Sequence, residues 1–175
     1  MKNLLPLLKN PVYITSAGTK FQHDDYCATS TKARMERNDC VVRAIAASFE
    51  IPYDEAHSFV KGIFNRKDKD GTRYYYILRM NELTSAFGKS VQKLGKRYED
   101  HKQGKLTLDR KYWAKGGHVY RAMSVGSFLK EYSTGKYLVF VKGHAFAVVD
   151  GVVKGNMKDA TKLKVRINSA FKIGE

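Results

Sequence analysis

An apolar stretch near the end of the chain, Gly143–Val153, constrains the fold most strongly. Its sequence, GHAFAVVDGVV, places an Asp-Gly pair between two runs rich in alanine and valine. Asp-Gly suits the tight two-residue turn between antiparallel strands, because that turn requires a positive φ. The preceding run, Tyr137–Val141, has the β-branched and aromatic composition of another strand. We therefore predict three successive strands in this part of the chain.

Helical patterns lie mainly in the first half of the chain. Two good N-caps, Asn38 and Asp39, precede a run with apolar residues at helical spacing, which predicts a first helix over 40–49. A proline then opens a second predicted helix over 53–64. A third amphipathic pattern predicts a helix over 76–87, which a glycine ends.

Shorter patterns complete the predicted order of elements. Residues 1–37 read as an irregular N-terminal arm with one short strand at Val12–Ile14, and Ser124–Tyr132 reads as a short capped helix. The strict alternation of Leu163–Ile167 predicts a half-buried strand. Helices followed by strands indicate an α+β fold, and 175 residues suit a single domain over 1–175.

The charge of the chain is strongly positive, at +15, and nearly half of the excess lies in a basic insertion over 89–121. Aromatic residues are interleaved there with the basic ones, which is what a single-stranded nucleic acid would bind. The alternative is a solvated insertion whose aromatic side chains pack onto the core. The candidate polyanion-binding residues are Lys93, Lys96, Arg97, Lys102, Lys105, Arg110 and Lys111.

The sequence gives little support for a membrane protein, a disulfide-rich protein or a metal-binding protein. No run approaches the roughly 18 apolar residues of a membrane span, and the apolar N-terminus is too short for a signal peptide. Two cysteines, Cys27 and Cys40, do not make a disulfide framework, and no residue stands at metal-ligand spacing from Cys27. We expect a cytoplasmic protein with no membrane contact, no metal and no cofactor.

Cys40 and His144 together suggest nucleophilic chemistry. Cys40 falls in the first turn of a predicted helix, where free N–H groups and the helix dipole stabilise a thiolate and an oxyanion. His144, just after a glycine at the start of a strand, can take the thiol proton and return it to a leaving group. Each residue alone also has a structural explanation, since most cysteines are small buried apolar residues.

Two motifs stand in a recognisable order along the chain. Asn38-Asp39-Cys40-Val41-Val42-Arg43-Ala44 opens the first predicted helix, and Gly143–Val153 carries the histidine on the hairpin. This order resembles papain-like cysteine peptidases, particularly the compact branch that includes bacteriocin-processing peptidases, and small phage-encoded proteins with an Asn-Asp-Cys helix start. The resemblance covers residues 38–65 and 124–156.

The resemblance implies a papain-like α+β fold, with N-terminal helices packed on a C-terminal antiparallel sheet. It implies a cysteine hydrolase of the peptidase or amidase type, without cofactor. The substrate would be a protein or peptide, such as a host protein, encountered in the host cytoplasm or in the virion. Carried over by position, Cys40 would be the nucleophile and His144 the general base. The third residue would be an Asn or Asp beyond the hairpin: Asn156 is the first choice, and Asp159 and Asp150 are the alternatives.

The chain departs from the family pattern at the oxyanion donor. Papain-like enzymes usually carry a Gln several residues before the nucleophile, and Arg34 stands in that region here. Asn38 is the candidate donor, although it is also a good helix cap. Because of this departure, the alternative function is an inactive papain-like binding protein that engages nucleic acid or an acidic host protein through its basic surface.

Overall fold

The computed structural model describes residues 10–24, 26–73, 79–80, 86–95 and 107–174, with the side chains of 110, 112 and 118 excepted. The described fold is α+β, as predicted. Its helices are α1 (Tyr26–Thr29), α2 (Thr31–Met35), α3 (Cys40–Phe49), α4 (Tyr53–Ile63), α5 (Val125–Glu131) and α6 (Met157–Thr161). Its strands are β1 (Val12–Ile14), β2 (Lys20–His23), β3 (Val91–Lys93), β4 (Asp109–Ala114), β5 (Gly117–Ala122), β6 (Lys136–Val141), β7 (His144–Val149), β8 (Val152–Gly155) and β9 (Ile167–Ile173).

The predicted hairpin forms the centre of the main sheet. β6, β7 and β8 pair antiparallel in succession, and Asp150 and Gly151 join the last two with φ values of 48° and 74°. Both central turn residues therefore have the positive φ that the Asp-Gly pair predicts. The predictions of three strands at this place and of helices over 40–49 and 53–64 are confirmed, the second helix ending one residue earlier.

Both faces of β6 and β7 are covered, which explains their nearly continuous apolar sequence. Alternate residues point to opposite faces of a strand. Leu138 and Phe140 accordingly join the core beneath α3 and α4, whereas Tyr137 and Val139 join a second core beneath α5. α3 packs mainly on β7, so that two elements beginning with Cys40 and His144 lie against each other.

The N-terminal arm contributes two strands to the main sheet, whose order is β1-β2-β8-β7-β6-β9-β3. The neighbours pair antiparallel except β2 and β8, which pair parallel with His23 opposite Gly155. The expectation of an antiparallel sheet is therefore wrong at this pairing. Only a tight hairpin forces the antiparallel direction, and β2 reaches β8 from a distant part of the chain.

Other predictions near the end of the chain need correction. Leu163–Ile167 was expected to be a strand, but residues 163–165 form a turn after α6, and β9 begins only at Ile167. The Leu163 carbonyl accepts a hydrogen bond from the Gly126 amide, so this alternating segment follows α5 instead of extending the sheet. The predicted helix over 76–87 lies largely outside the described residues.

The basic insertion has a local fold that the sequence pattern did not predict. Within it, β4 and β5 form a separate antiparallel hairpin, and β3 adds to the edge of the main sheet. Lys93 and Lys111 lie on β3 and β4 and are exposed. The backbone of Arg110 belongs to β4. Lys96, Arg97, Lys102 and Lys105 lie outside the described residues.

Candidate active site

Cys40 is the first residue of α3 and is half-buried. Asp39 occupies the N-cap position, but its side chain makes no capping hydrogen bond. Its carboxylate instead accepts hydrogen bonds from Nε of Arg43, at 2.9 Å, and from the Tyr53 hydroxyl, at 2.7 Å. The first-turn N–H groups of α3 are thus not capped by Asp39, and these groups favour negative charge at the Cys40 sulfur.

His144 opens β7, directly after the turn at Lys142-Gly143. Its Nε2 lies 2.8 Å from Oδ1 of Asp159, and its side chain is 34% exposed. The ring N–H is not aligned with that oxygen for a linear hydrogen bond, as is common at catalytic contacts before substrate binds. Cys40 lines the same cleft and is close enough to the imidazole to contribute to the shift in its pKa. The predicted cysteine–histidine pair is therefore brought together in space.

The surroundings of His144 favour its charged form. The contact with the Asp159 carboxylate, followed by the hydrogen bond to Cys40, raises the pKa of His144 to about 10, although burial works in the opposite direction. A histidine with this pKa is an imidazolium at neutral pH. This positive charge lies in the cleft that Cys40 also lines.

Asp159, not Asn156, lies against the imidazole. The Asn156 side chain caps α6 by accepting a hydrogen bond from the Lys158 amide at 2.9 Å. Asp159 is 8% exposed, and its Oδ2 accepts from the Asn156 amide at 3.2 Å while Oδ1 faces His144. Asn156, the first choice from the sequence, is instead the N-cap of α6, because an asparagine before a helix is a strong cap and α6 is not predicted from the sequence.

Backbone geometry keeps Asp159 in this position. Gly155, the last residue of β8, has a φ of 154°, and a Cβ atom there would lie 2.8 Å from Oδ2 of Asp159. A glycine therefore allows the strand to pass directly beneath the carboxylate. The other alternative, Asp150, stays in the β7–β8 turn, where its carboxylate accepts a hydrogen bond from the Gly135 amide at 2.9 Å. That role agrees with the expectation for a turn aspartate.

Arg43 links the two sides of the site, a role that the sequence analysis missed. Its Nη1 lies 3.0 Å from Oδ1 of Asp24, and its Nε lies 2.9 Å from Oδ2 of Asp39. The Asp24 amide donates to the Gly155 carbonyl at the end of β8. Burial raises the pKa of Asp24, and Arg43 opposes that shift. A charged residue four positions after Asp39 in an otherwise apolar helix was the available signal.

A cleft of about 660 Å³ opens over these residues. Cys40, His144 and Asp159 line it together with Asn38 and Thr72. Asn38 is exposed, with a φ of 54°, and its amide donates to the Lys69 carbonyl at 3.4 Å, so it does not act as the N-cap. Oγ1 of Thr72 is buried and has no hydrogen-bond partner among the described residues. Both polar groups are candidates for contacting a substrate oxygen.

A second cluster of ionisable groups lies away from the cleft. Oε1 of Glu36 is 2.9 Å from Nε2 of His57, and Oε2 is 2.8 Å from Nη2 of the buried Arg66. Asp68 lies close enough to complete a metal-ligand set with Glu36 and His57. The Arg66 guanidinium already neutralises the Glu36 carboxylate, so the cluster is explained as an internal ion-pair network.

Comparison with known proteins yields no relative for this chain: no family model, curated protein or solved structure matches it. Among the described helices, none combines the length and the hydropathy required to cross a bilayer.

Proposed function

We propose that this protein is a papain-like cysteine hydrolase of the peptidase or amidase type. The observation that supports it most directly is the meeting of Cys40, His144 and Asp159 in one cleft. A thiol at a helix start, an imidazole in the same cleft and a carboxylate that orients the imidazole are the three parts of a cysteine acyl-transfer site.

The proposed reaction begins with attack of the Cys40 thiolate on a substrate carbonyl carbon. The carbonyl π electrons move onto oxygen, where the first-turn amides of α3 stabilise the negative charge, with Asn38 and Thr72 as side-chain donors. Collapse of this intermediate breaks the C–N bond, and the leaving amine takes the proton from His144. Water then attacks the thioester and gives its proton to His144, which releases the carboxylic acid and the Cys40 thiolate. Asp159 holds the imidazole in position throughout.

Thiol reactivity tests the nucleophile. At about pH 6, iodoacetamide should modify Cys40 at least about tenfold faster than Cys27, because Cys40 lies in the cleft with the His144 imidazolium, whereas the Cys27 thiol donates a hydrogen bond to the Ala33 carbonyl. Peptide mapping by mass spectrometry measures both rates in the same sample, with Cys27 as the internal control. The variant His144→Ala should remove the difference. Equal rates for the two cysteines in the wild-type chain would contradict the proposed site.

Turnover tests the hydrolase itself. The wild-type chain, incubated with a mixed peptide library, should generate new N-termini or new carboxylates that mass spectrometry detects. The matched variant Cys40→Ala should generate none, because it retains the cleft and lacks the nucleophile. A reactive Cys40 without any difference between these two samples would contradict hydrolysis of peptides and support the binding function.

The exposed face of the β4–β5 hairpin favours a second candidate function, nucleic-acid binding. Trp113 is 77% exposed there, Lys111 is exposed on the same face, and Lys115 is exposed in the turn of the hairpin. An exposed aromatic ring among basic residues can stack on an unpaired base while the cations contact phosphates. Trp113 is the one tryptophan of the chain, so its fluorescence reports directly on this hairpin.

A fluorescence titration tests this second function. A single-stranded oligonucleotide should quench Trp113 at low salt, and log affinity should fall linearly with log salt concentration. The double variant Lys111→Gln/Lys115→Gln should reduce the slope of log affinity against log salt concentration by about 2, because it removes two phosphate contacts. Absence of quenching at low salt would exclude this hairpin as a nucleic-acid site.

A further inference from the structure

The interior of the cleft is nearly balanced in charge. Three carboxylates line it, and each has a cationic partner: Asp24 and Asp39 pair with Arg43, and Asp159 lies against His144. These acids are therefore committed to internal contacts and do not present a negative surface to an incoming substrate.

Several basic residues stand close in sequence to residues that line the same cleft. Lys69 and Arg73 flank the lining residues Gly71 and Thr72, Lys142 precedes Gly143, Lys158 precedes Asp159, and Lys154 lines the cleft itself. These five cations, which we call the basic rim, are Lys69, Arg73, Lys142, Lys154 and Lys158. Asp70 is the exposed acid in the same three segments, 69–73, 142–144 and 154–159.

Lys142 and Lys158 differ from several other lysines of the surface. Lys61 forms an ion pair with Asp68, and Lys136 forms one with Glu50. Within the described part of the chain, no carboxylate forms an ion pair with Lys142 or Lys158. Both lysines are exposed and stand next to a lining residue in sequence, so their positive charge raises the local concentration of anions near the cleft.

We infer that the substrate of this hydrolase is an acidic protein segment, with Asp or Glu side chains close to the reacting carbonyl. The inference rests on the proposed function and extends it by naming the substrate class. Acidic side chains on both sides of the carbonyl would meet the basic rim, while the carbonyl itself enters the neutral interior. A basic segment would be repelled by the same residues, which gives selectivity as well as faster association.

Two thiol reagents of different charge separate this inference from the proposed function. Iodoacetate is an anion and iodoacetamide is neutral, and both alkylate the Cys40 thiolate. The double variant Lys142→Gln/Lys158→Gln should lower the iodoacetate rate about three- to fourfold at low salt and leave the iodoacetamide rate unchanged. The control Lys111→Gln/Lys115→Gln removes the same charge from the hairpin and should change neither rate.

The outcomes of this experiment are distinct. A slow iodoacetamide reaction in the wild-type chain contradicts the reactive site itself. A fast iodoacetamide reaction, with iodoacetate slowed equally by both double variants or by neither, leaves the site intact and overturns the role of the rim. The effect of the rim should also disappear at about 1 M salt, where charges are screened within a few ångströms.

Protection of Cys40 then tests the substrate class. A poly-glutamate peptide should slow iodoacetamide modification of Cys40 at low salt, and a poly-lysine peptide should not. The Lys142→Gln/Lys158→Gln variant should weaken the protection. Equal protection by a single-stranded oligonucleotide would show that the rim attracts any polyanion, and it would overturn the assignment of an acidic protein substrate.

Discussion

At the scale of single residues, the sequence predicts the nucleophile and the base better than their orienting partner. Cys40 and His144 carry local signals, a helix cap before one and a glycine before the other. The choice between Asn156 and Asp159 depends on α6, a five-residue helix. Both residues belong to one capping box, and only the packing of that helix decides which side chain turns towards His144.

Asp159→Asn should lower the pKa of His144 from about 10 towards its ordinary value of 6.5, because the carboxylate contact is the largest cause of the shift. NMR titration of the labelled histidine measures this directly. The matched variant Asn156→Ala should leave that pKa in place and destabilise the fold by about 1 kcal/mol through loss of the N-cap. An equal fall of the pKa in both variants would show that the helix position, and not the carboxylate, holds the histidine charged.

At the scale of elements, strong local sequence patterns predict the helices and strands, but they do not predict which distant strands pair. α3 and the β6–β8 unit follow from spacing, capping and the Asp-Gly turn. The segment 163–167 shows why alternation alone is insufficient. The carbonyl groups of Leu163 and Val165 accept hydrogen bonds from the first residues of α5, and the Val165 amide donates within a turn. The segment therefore does not pair with the main sheet before Ile167. The entry of β2 beside β8 is likewise a tertiary event without a local signal.

Arg43→Met should destabilise the protein by about 3 kcal/mol, because it leaves Asp24 and Asp39 largely buried without their cation. Urea unfolding measures the change. Cys40 alkylation should slow as well, since Arg43 connects α3 to the strand end next to Asp159. Lys136→Gln is the matched control: it breaks a more exposed ion pair with Glu50 and should cost no more than about 1 kcal/mol. A similar loss in both variants would contradict a linking role for Arg43.

At the scale of the whole molecule, the order of helical and strand patterns along the sequence predicts the α+β class. The apolar composition of the central strands predicts that both faces of the sheet are covered. The apolar runs of β6 and β7 lack a polar face, and the structure covers both faces accordingly. The charge of +15 was visible in the sequence, but its distribution was not. Residues next to Lys142 and Lys158 in sequence line one cleft because the β6–β7 turn and α6 lie at the same end of the sheet.

Stability should fall on both sides of a maximum between about pH 5 and 6.5, because two groups titrate far from their unfolded values. The pKa of His144 is raised to about 10, so its contribution is complete below 6.5 and is lost as pH rises towards 10. Burial would raise the pKa of Glu36, but hydrogen bonds from Arg66, His57 and the Lys69 amide outweigh it and lower the pKa to about 2. The Glu36 contribution is therefore complete above 4.5 and is lost as pH falls towards 2.

Urea midpoints measured across pH, with wild type and two variants, separate these two contributions. His144→Gln should flatten the decline in stability between about pH 6.5 and 10. Tyr26 and Tyr53 have raised pKa values, so they affect stability only above this range. Glu36→Gln should flatten the acidic decline and lower stability at neutral pH, because Arg66 loses its partner in a buried site. An alkaline decline that persists unchanged in His144→Gln would mean that His144 is not held as an imidazolium, and the ion-pair description of the cleft would fail with it.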